Sequence, residues 1–248
     1  MSSFAELRNG AGELLDAAFT ASEGEPLAEG LLVVIGHGVT ANKDRAWALA
    51  LTRALAGAGV DSLRFSFSGN GESEGDFRES TVTKEVADLG AVLERAAPGR
   101  RICYVGHSMG GAVGVLRAAA DSRVELLVSL AGMVHTADFN TRKFGALTPG
   151  QDLMWDKPEC PLSEAFVADM NAIGTVLPKA EEIRVPWLLV HGEGDSVVPC
   201  SESEELAGLA ARAELVRLPG ADHLFSGADE ARMAEAVVSW LKRVLRSL

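Results

Sequence analysis

The chain has 248 residues, 47% hydrophobic and 23% charged, and a formal net charge of −12. Such a length suits one α/β domain with a sizeable core, and an acidic surface repels phosphate backbones and anionic headgroups, so neither nucleic acid nor a membrane surface is expected as a partner. The 3 cysteines (Cys103, Cys160, Cys200) are too widely spaced for a disulfide framework or a metal pattern. Met1 to Thr20 carries Glu6, Arg8, Glu13 and Asp16 and lacks a basic start followed by an apolar stretch. No apolar run nears the ~18 residues of a membrane span. The expectation by default is a cytoplasmic protein.

Short apolar runs alternate with longer amphipathic segments. Glu13–Phe19 reads as an antiparallel edge strand and Leu31–Ile35 as the first buried strand. Lys43–Ala58 has the spacing of a helix, with Trp47, Leu51 and Leu55 on one face. Ser62–Phe67 is a strand, and Ser80–Ala97 a helix stopped by Pro98-Gly99. Then come a strand at Ile102–Val105, a helix at Met109–Ala120, and strands at Val124–Leu130 and Val185–Val190. A helix at Ser201–Ala211, a strand at Glu214–Leu218 and a closing helix at Ala228–Leu245 complete the series. This alternation predicts an α/β fold: a mostly parallel central sheet with helices on both faces.

Residues 133–182 break the rhythm, with Pro149, Pro158, Pro161 and Pro178 between short helical pieces. Irregular stretches beyond ~15 residues in a compact domain usually serve function. The reading is a core domain of residues 1–132 and 183–248, with a small cap at 133–182. Trp155, Phe139, Phe144, Met154 and Leu153 either line a pocket there or form the cap's own core. Oligomeric state is not readable from the sequence.

The pattern Gly-x-Ser-x-Gly occurs at Gly106–Gly110 and again at Gly71–Gly75, so context must decide. The strand Ile102–Val105 runs straight into Ser108, and a helix rich in small residues follows at once. That is the setting of a nucleophilic serine on a sharp strand-to-helix turn. Ser73 sits between Glu72 and Glu74 in a glycine-rich loop, where anionic chemistry would be opposed.

A serine hydroxyl needs a base, and histidine suits neutral pH. His223 follows the last expected strand, at the sheet edge where ligands collect. His37 and His191 each end a strand before glycine and read as structural hydrogen-bonding groups. His107 is fixed beside the serine. His135 opens the cap and either contacts substrate or is solvated. The orienting acid is expected at Asp195, in the loop after Val185–Val190, with Glu193 as rival; Asp222 adjoins His223 and reads as a loop-stabilising group. The order Ser108, Asp195, His223 differs from both common protease orders. The backbone N–H groups of Met109 and Val39 are the expected oxyanion donors, and Gly38 allows close approach of a substrate.

Four stretches carry a resemblance: Ile35-Gly36-His37-Gly38, Gly106-His107-Ser108-Met109-Gly110-Gly111, His191-Gly192-Glu193-Gly194-Asp195 and Gly220-Ala221-Asp222-His223. In them the chain resembles the α/β-hydrolase superfamily over nearly its whole length. His37–Asp44 and Arg64–Gly75 look like cinnamoyl/feruloyl esterase-type and serine-aminopeptidase-like hydrolases. Relatives often have an aspartate where Ser66 stands and an aromatic residue where Val39 stands. The resemblance implies a structural turn around Ser73 and hydrolysis of a small-molecule carboxylic ester through an acyl-enzyme, with no metal or organic cofactor. The same three residues would serve a thioesterase or an amidase/peptidase, and a non-catalytic binding protein on this scaffold is the alternative from another class. Substrate contacts are expected from Gly38, His107, His135 and Trp155.

Overall fold

The computed structural model describes residues 4 and 6–247. Met1–Ser3, Ala5 and Leu248, which belong to the N-terminal stretch and the core segments read above, lie outside the described residues. Strands β1 (Ala17–Thr20), β2 (Leu31–Gly36), β3 (Asp61–Phe65), β4 (Arg101–His107), β5 (Val124–Leu130), β6 (Trp187–Gly192) and β7 (Ala213–Leu218) form one 7-stranded sheet in the order β1-β3-β2-β4-β5-β6-β7. Only β1 runs antiparallel, along β3; the other pairings are parallel. The helices are α1 (Ala46–Gly57), α2 (Val82–Ala96), α3 (Met109–Ala120), α4 (Thr136–Phe144), α5 (Glu164–Ile173), α6 (Cys200–Leu209) and α7 (Asp229–Leu245). No helix among the described residues is long and apolar enough to cross a membrane.

Alternation along the strands divides the core into two layers. Leu31, Val33, Ile35, Cys103, Val105, Leu188 and Val190 face α1 and α7, meeting Trp47, Leu51, Met233, Val237 and Leu241. Leu32, Val34, Ile102, Tyr104, Leu127 and Leu189 face the opposite layer, with Val82, Leu89, Val92 and Val113 of α2 and α3. Strands covered on both faces read as continuous apolar runs, which is why LLVVI and ICYV stand out in the sequence.

The boundaries differ from expectation where local polar groups intervene. The edge strand is shorter than Glu13–Phe19, because Asn9 and Glu13 close a turn and Leu15 N–H bonds back to Leu7. Helix α1 starts three residues after Lys43, whose N–H is taken by Ser66 Oγ and whose ammonium bridges to Asp16 at 3.0 Å. Strand β6 starts after Pro186, which has no N–H for the ladder.

Residues 133–182 hold two helices, α4 and α5, with tight 3₁₀ turns at Met154–Asp156 and Leu177–Glu182. Phe139, Phe144, Met154, Leu162, Phe166 and Met170 are buried in the same apolar cluster as α2 and α3. This insertion therefore shares the main core. Its start is tied to α6 by Glu202 Oε2, which accepts from the N–H groups of Val134 (2.6 Å) and His135 (3.1 Å).

The sheet order fixes where a site can form. The chain leaves β2 for β3 on one side, then recrosses through α2 to β4 on the other. The loops after β2 and β4 thus diverge, leaving a crevice at their carboxyl ends. Replacing Leu127 of β5, which is fully buried, with alanine is expected to lower the unfolding free energy by about 2–5 kcal/mol. Urea titration should show the loss as a lower midpoint with unchanged slope.

Candidate active site

Ser108 lies between β4 and α3 at φ 53°, ψ −119°, a conformation costly for any residue with a side chain, at roughly 1–3 kcal/mol. Neighbours hold it there. Its N–H donates to Leu130 C=O at 3.0 Å, and its own C=O accepts from Gly111 and Met133 N–H, both at 2.9 Å. The turn closes only because a neighbouring position lacks a side chain: a Cβ on Gly106 would collide with the Gly110 carbonyl. Ser108 is 4% exposed, and its exposed part lines a cavity of about 180 Å³ at the carboxyl ends of β2 and β4.

His223 lines the same cavity. Its Nδ1–H donates to Asp195 Oδ2 at 2.7 Å. The other carboxylate oxygen of Asp195 accepts from the N–H groups of Val197 (2.7 Å) and Val198 (2.9 Å), so both oxygens are fixed. Burial alone would push this carboxyl up. The hydrogen bonds from His191 and His223 and the His223 charge reverse that, and it stays well below the usual carboxylate range. His191 Nε2–H donates to Val198 C=O at 3.0 Å and stands 3.3 Å from Asp195 Oδ2, while its Nδ1 accepts from Ser203. The structure thus gives His191 a further contact, to the acid itself, that the sequence reading did not foresee. Glu193, the rival acid, is exposed.

His107 sits behind His223. Its ring packs between those of Trp47 and His223, with centroids 4.8 Å away in each case, and its Nε2–H donates to the His223 carbonyl at 2.8 Å. Burial first, then the nearby His223 charge, lowers its pKa to about 3, so it stays neutral and supports the imidazole in front of it while also lining the cavity. Asp222 Oδ1 accepts from Leu224 and Ser226 N–H, which shapes the loop as expected.

The loop after β2 is organised by His37. Its Nε2 accepts from Phe67 N–H at 3.0 Å, so the proton is on Nδ1, which donates to Gly38 C=O at 2.8 Å. Ala41 N–H donates to the same carbonyl. In a trans peptide the C=O and the next N–H point opposite ways, so the Val39 N–H is turned away from both donors. Among the described residues it has no hydrogen-bond partner. Gly38 and Val39 line the cavity, and a Cβ on Gly38 would come 2.7 Å from Ser108 Cβ. Met109 opens α3, and no carbonyl within the helix precedes its N–H; its side chain is buried in the core.

The two cap candidates differ in position. His135 does not reach the cavity: its Nε2 meets Glu205 Oε2 at 3.0 Å on the outer side, because Glu202 holds its backbone there. Trp155, 43% exposed and packed edge-on against Phe144 at 4.8 Å, does line the cavity, as does Phe139. Phe144 and Met154 are core. Ser73, in the second Gly-x-Ser-x-Gly copy, staples its loop by donating to Ser66 C=O and accepting from Asp16 N–H, both at 2.8 Å. Among the described residues no three His, Cys, Asp or Glu side chains cluster as a metal site would require.

A parallel sheet recrossed at β2, with a strained serine above the crossing and a hydrogen-bonded Asp–His pair beside it, defines a hydrolase-type architecture. The chain belongs to the alpha/beta hydrolase family, whose model matches residues 32–237. It is 29% identical over 175 residues to the mitochondrial palmitoyl-protein thioesterase ABHD10 of Homo sapiens, covering 64% of this chain and 55% of that one. The match thus spans about half that relative's length. It is 27% identical over 225 residues to the uncharacterized protein YfhR of Salmonella typhi, covering 86% and 72% of the two chains. Est1E of Butyrivibrio proteoclasticus, solved with ferulic acid bound, superposes with a TM-score of 0.80 at 24% identity over 95% of this chain and 96% of that one. Mouse ABHD10 gives 0.80 at 20% identity over 98% and 100%. These two likenesses speak to the fold.

Burial lowers the His37 pKa to about 4, against an ordinary 6.5. The unfolded chain therefore takes up a proton near pH 6.5 that the folded one refuses, and stability falls as pH drops through that window. His37→Gln should be less stable at pH 7, yet its further loss between pH 7 and pH 4.5 should be about 2–3 kcal/mol smaller than the parent's, as ~1.4 kcal/mol per pKa unit requires. Urea unfolding at the two pH values measures the difference.

Proposed function

We propose that this chain is a serine hydrolase of carboxylic esters, with Ser108 as nucleophile, His223 as general base and Asp195 as the acid that orients the imidazole. The observation that carries this reading is the strained Ser108 lining one cavity with an imidazole whose Nδ1–H is held by Asp195 at 2.7 Å, leaving Nε2 to take a proton.

In this reading the Ser108 oxygen bonds to the ester carbonyl carbon as its proton passes to His223 Nε2. The carbonyl oxygen becomes an oxyanion held by the N–H groups of Val39 and Met109. Collapse breaks the carbon–alkoxy bond, and the alcohol leaves with the proton from His223. Water then gives its proton to His223, attacks the acyl carbon and releases the acid, returning the proton to Ser108. The ionised Asp195 holds the neutral tautomer this needs and stabilises the imidazolium that forms. The cavity, about 180 Å³, is below the ~300–1,000 Å³ of common ligand pockets, which favours short acyl groups. A thioester is the second reading, favoured by the palmitoyl-protein thioesterase among the relatives, and the same three groups would serve it.

Ser108→Ala is expected to reduce p-nitrophenyl acetate and butyrate turnover at least ~10³-fold with an unchanged circular-dichroism spectrum, since the triad acts as a unit. Full residual activity would end the assignment. Val39→Pro, which deletes one N–H, should lower kcat by roughly 10²–10³, whereas Val39→Ala keeps the donor and most of the rate. The kcat ratio of the two variants reads the donor apart from the side chain.

A further inference from the structure

Charge inside the cavity runs against the charge of the chain. The protein carries 35 acidic and 23 basic residues, yet the ionic side chains that line the cavity beside Ser108 are Arg45 and Lys157, with no aspartate or glutamate among the lining residues. Arg45 stands just before α1, and among the described residues its guanidinium has no carboxylate within 4.0 Å and its Nε is buried without a hydrogen-bond partner. Its charge reaches the site, being one cause that depresses both His37 and His107. Lys157 comes from the insertion and donates to the Thr40 carbonyl and hydroxyl, both at 3.2 Å, leaving one of its three N–H groups free. A guanidinium edge presents parallel donors that match a carboxylate, and a volume of about 180 Å³ keeps any anion held there within a few bonds of the scissile carbonyl.

We propose that the ester cleaved at Ser108 bears a carboxylate seated on Arg45 with Lys157 beside it, so that the substrates are half-esters of short dicarboxylic acids or short hydroxy acids acylated on the hydroxyl, which keep the carboxylate free. This rests on the ester-hydrolase reading and names its substrate class. Arg45 fixes specificity through binding, and the chemistry at Ser108 is unchanged.

The test compares monoethyl succinate with ethyl butyrate, which has the same acyl length and no charge, by titrating the acid released. The parent should prefer monoethyl succinate at least tenfold in kcat/KM. Arg45→Gln should cut that preference tenfold or more, chiefly through KM, and Arg45→Lys should retain part of it. Equal use of the two esters, or a preference that Arg45→Gln leaves intact, overturns the proposal. If neither ester is cleaved, the ester reading fails separately, and calorimetry on Ser108→Ala decides the anion site. Binding of monoethyl succinate that is weakened tenfold by adding Arg45→Gln supports the site, and no binding overturns it. Displacement of monoethyl succinate by inorganic phosphate at a lower concentration than by succinate would overturn the assignment to a carboxylate.

Discussion

Everything at the candidate site depends on one unfavourable backbone conformation. Ser108 at φ 53° is tolerable because its N–H is held by Leu130 at the end of β5 and its carbonyl by Gly111 and Met133. Those three bonds come from the next strand, the following helix and the first turn of the insertion. The folded sheet thus supplies the constraint, and the constraint lifts the hydroxyl out of the sheet's edge. Around it four histidines have at least one ring nitrogen committed: His223 to Asp195, His107 to the His223 carbonyl, His37 to Gly38 and Phe67, and His191 to Val198 and Ser203. Four imidazoles therefore hold defined tautomers in a small volume, and two of them, His37 and His107, are kept neutral chiefly by burial.

Much of this was legible in the sequence because it is local. An apolar strand running into Gly-x-Ser-x-Gly and then a small-residue helix describes the turn at Ser108, and the mostly parallel sheet followed from strand–helix alternation, though the order of its strands did not. The Asp195 and His223 positions were readable because each follows a strand. What was not legible depends on long-range contact. No spacing places Arg45 and Lys157 on one cavity, since they are joined only when the insertion folds over the loop after β2. Nor does any pattern send Glu202 to the Val134 and His135 N–H groups, which is what keeps the His135 ring on the outer side. The two copies of Gly-x-Ser-x-Gly make the same point: Ser73 has the motif, but its hydroxyl is consumed by Ser66 and Asp16.

The electrostatics of the site are set by partners more than by overall charge. Asp195 is buried, which alone would make it a weaker acid, yet two N–H groups, His191 and His223 surround it and keep it ionised. Arg45 is the reverse case, a cation at a cavity wall with no acid beside it among the described residues. The pair shows how one fold holds a satisfied anion and an unsatisfied cation around one small volume.

The merged core of the insertion has a mechanical consequence. Phe139, Met154, Phe166 and Met170 pack into the layer that also contains Val82, Leu89 and Val113, so the 133–182 stretch cannot lift off as a hinged flap without prising apart the α2–α3 layer. Passage of small molecules is left to side-chain movement at the rim, where the half-exposed indole of Trp155 rests on Phe144. Turning an indole there needs only its two side-chain torsions, χ1 and χ2, with the backbone of the insertion left in place.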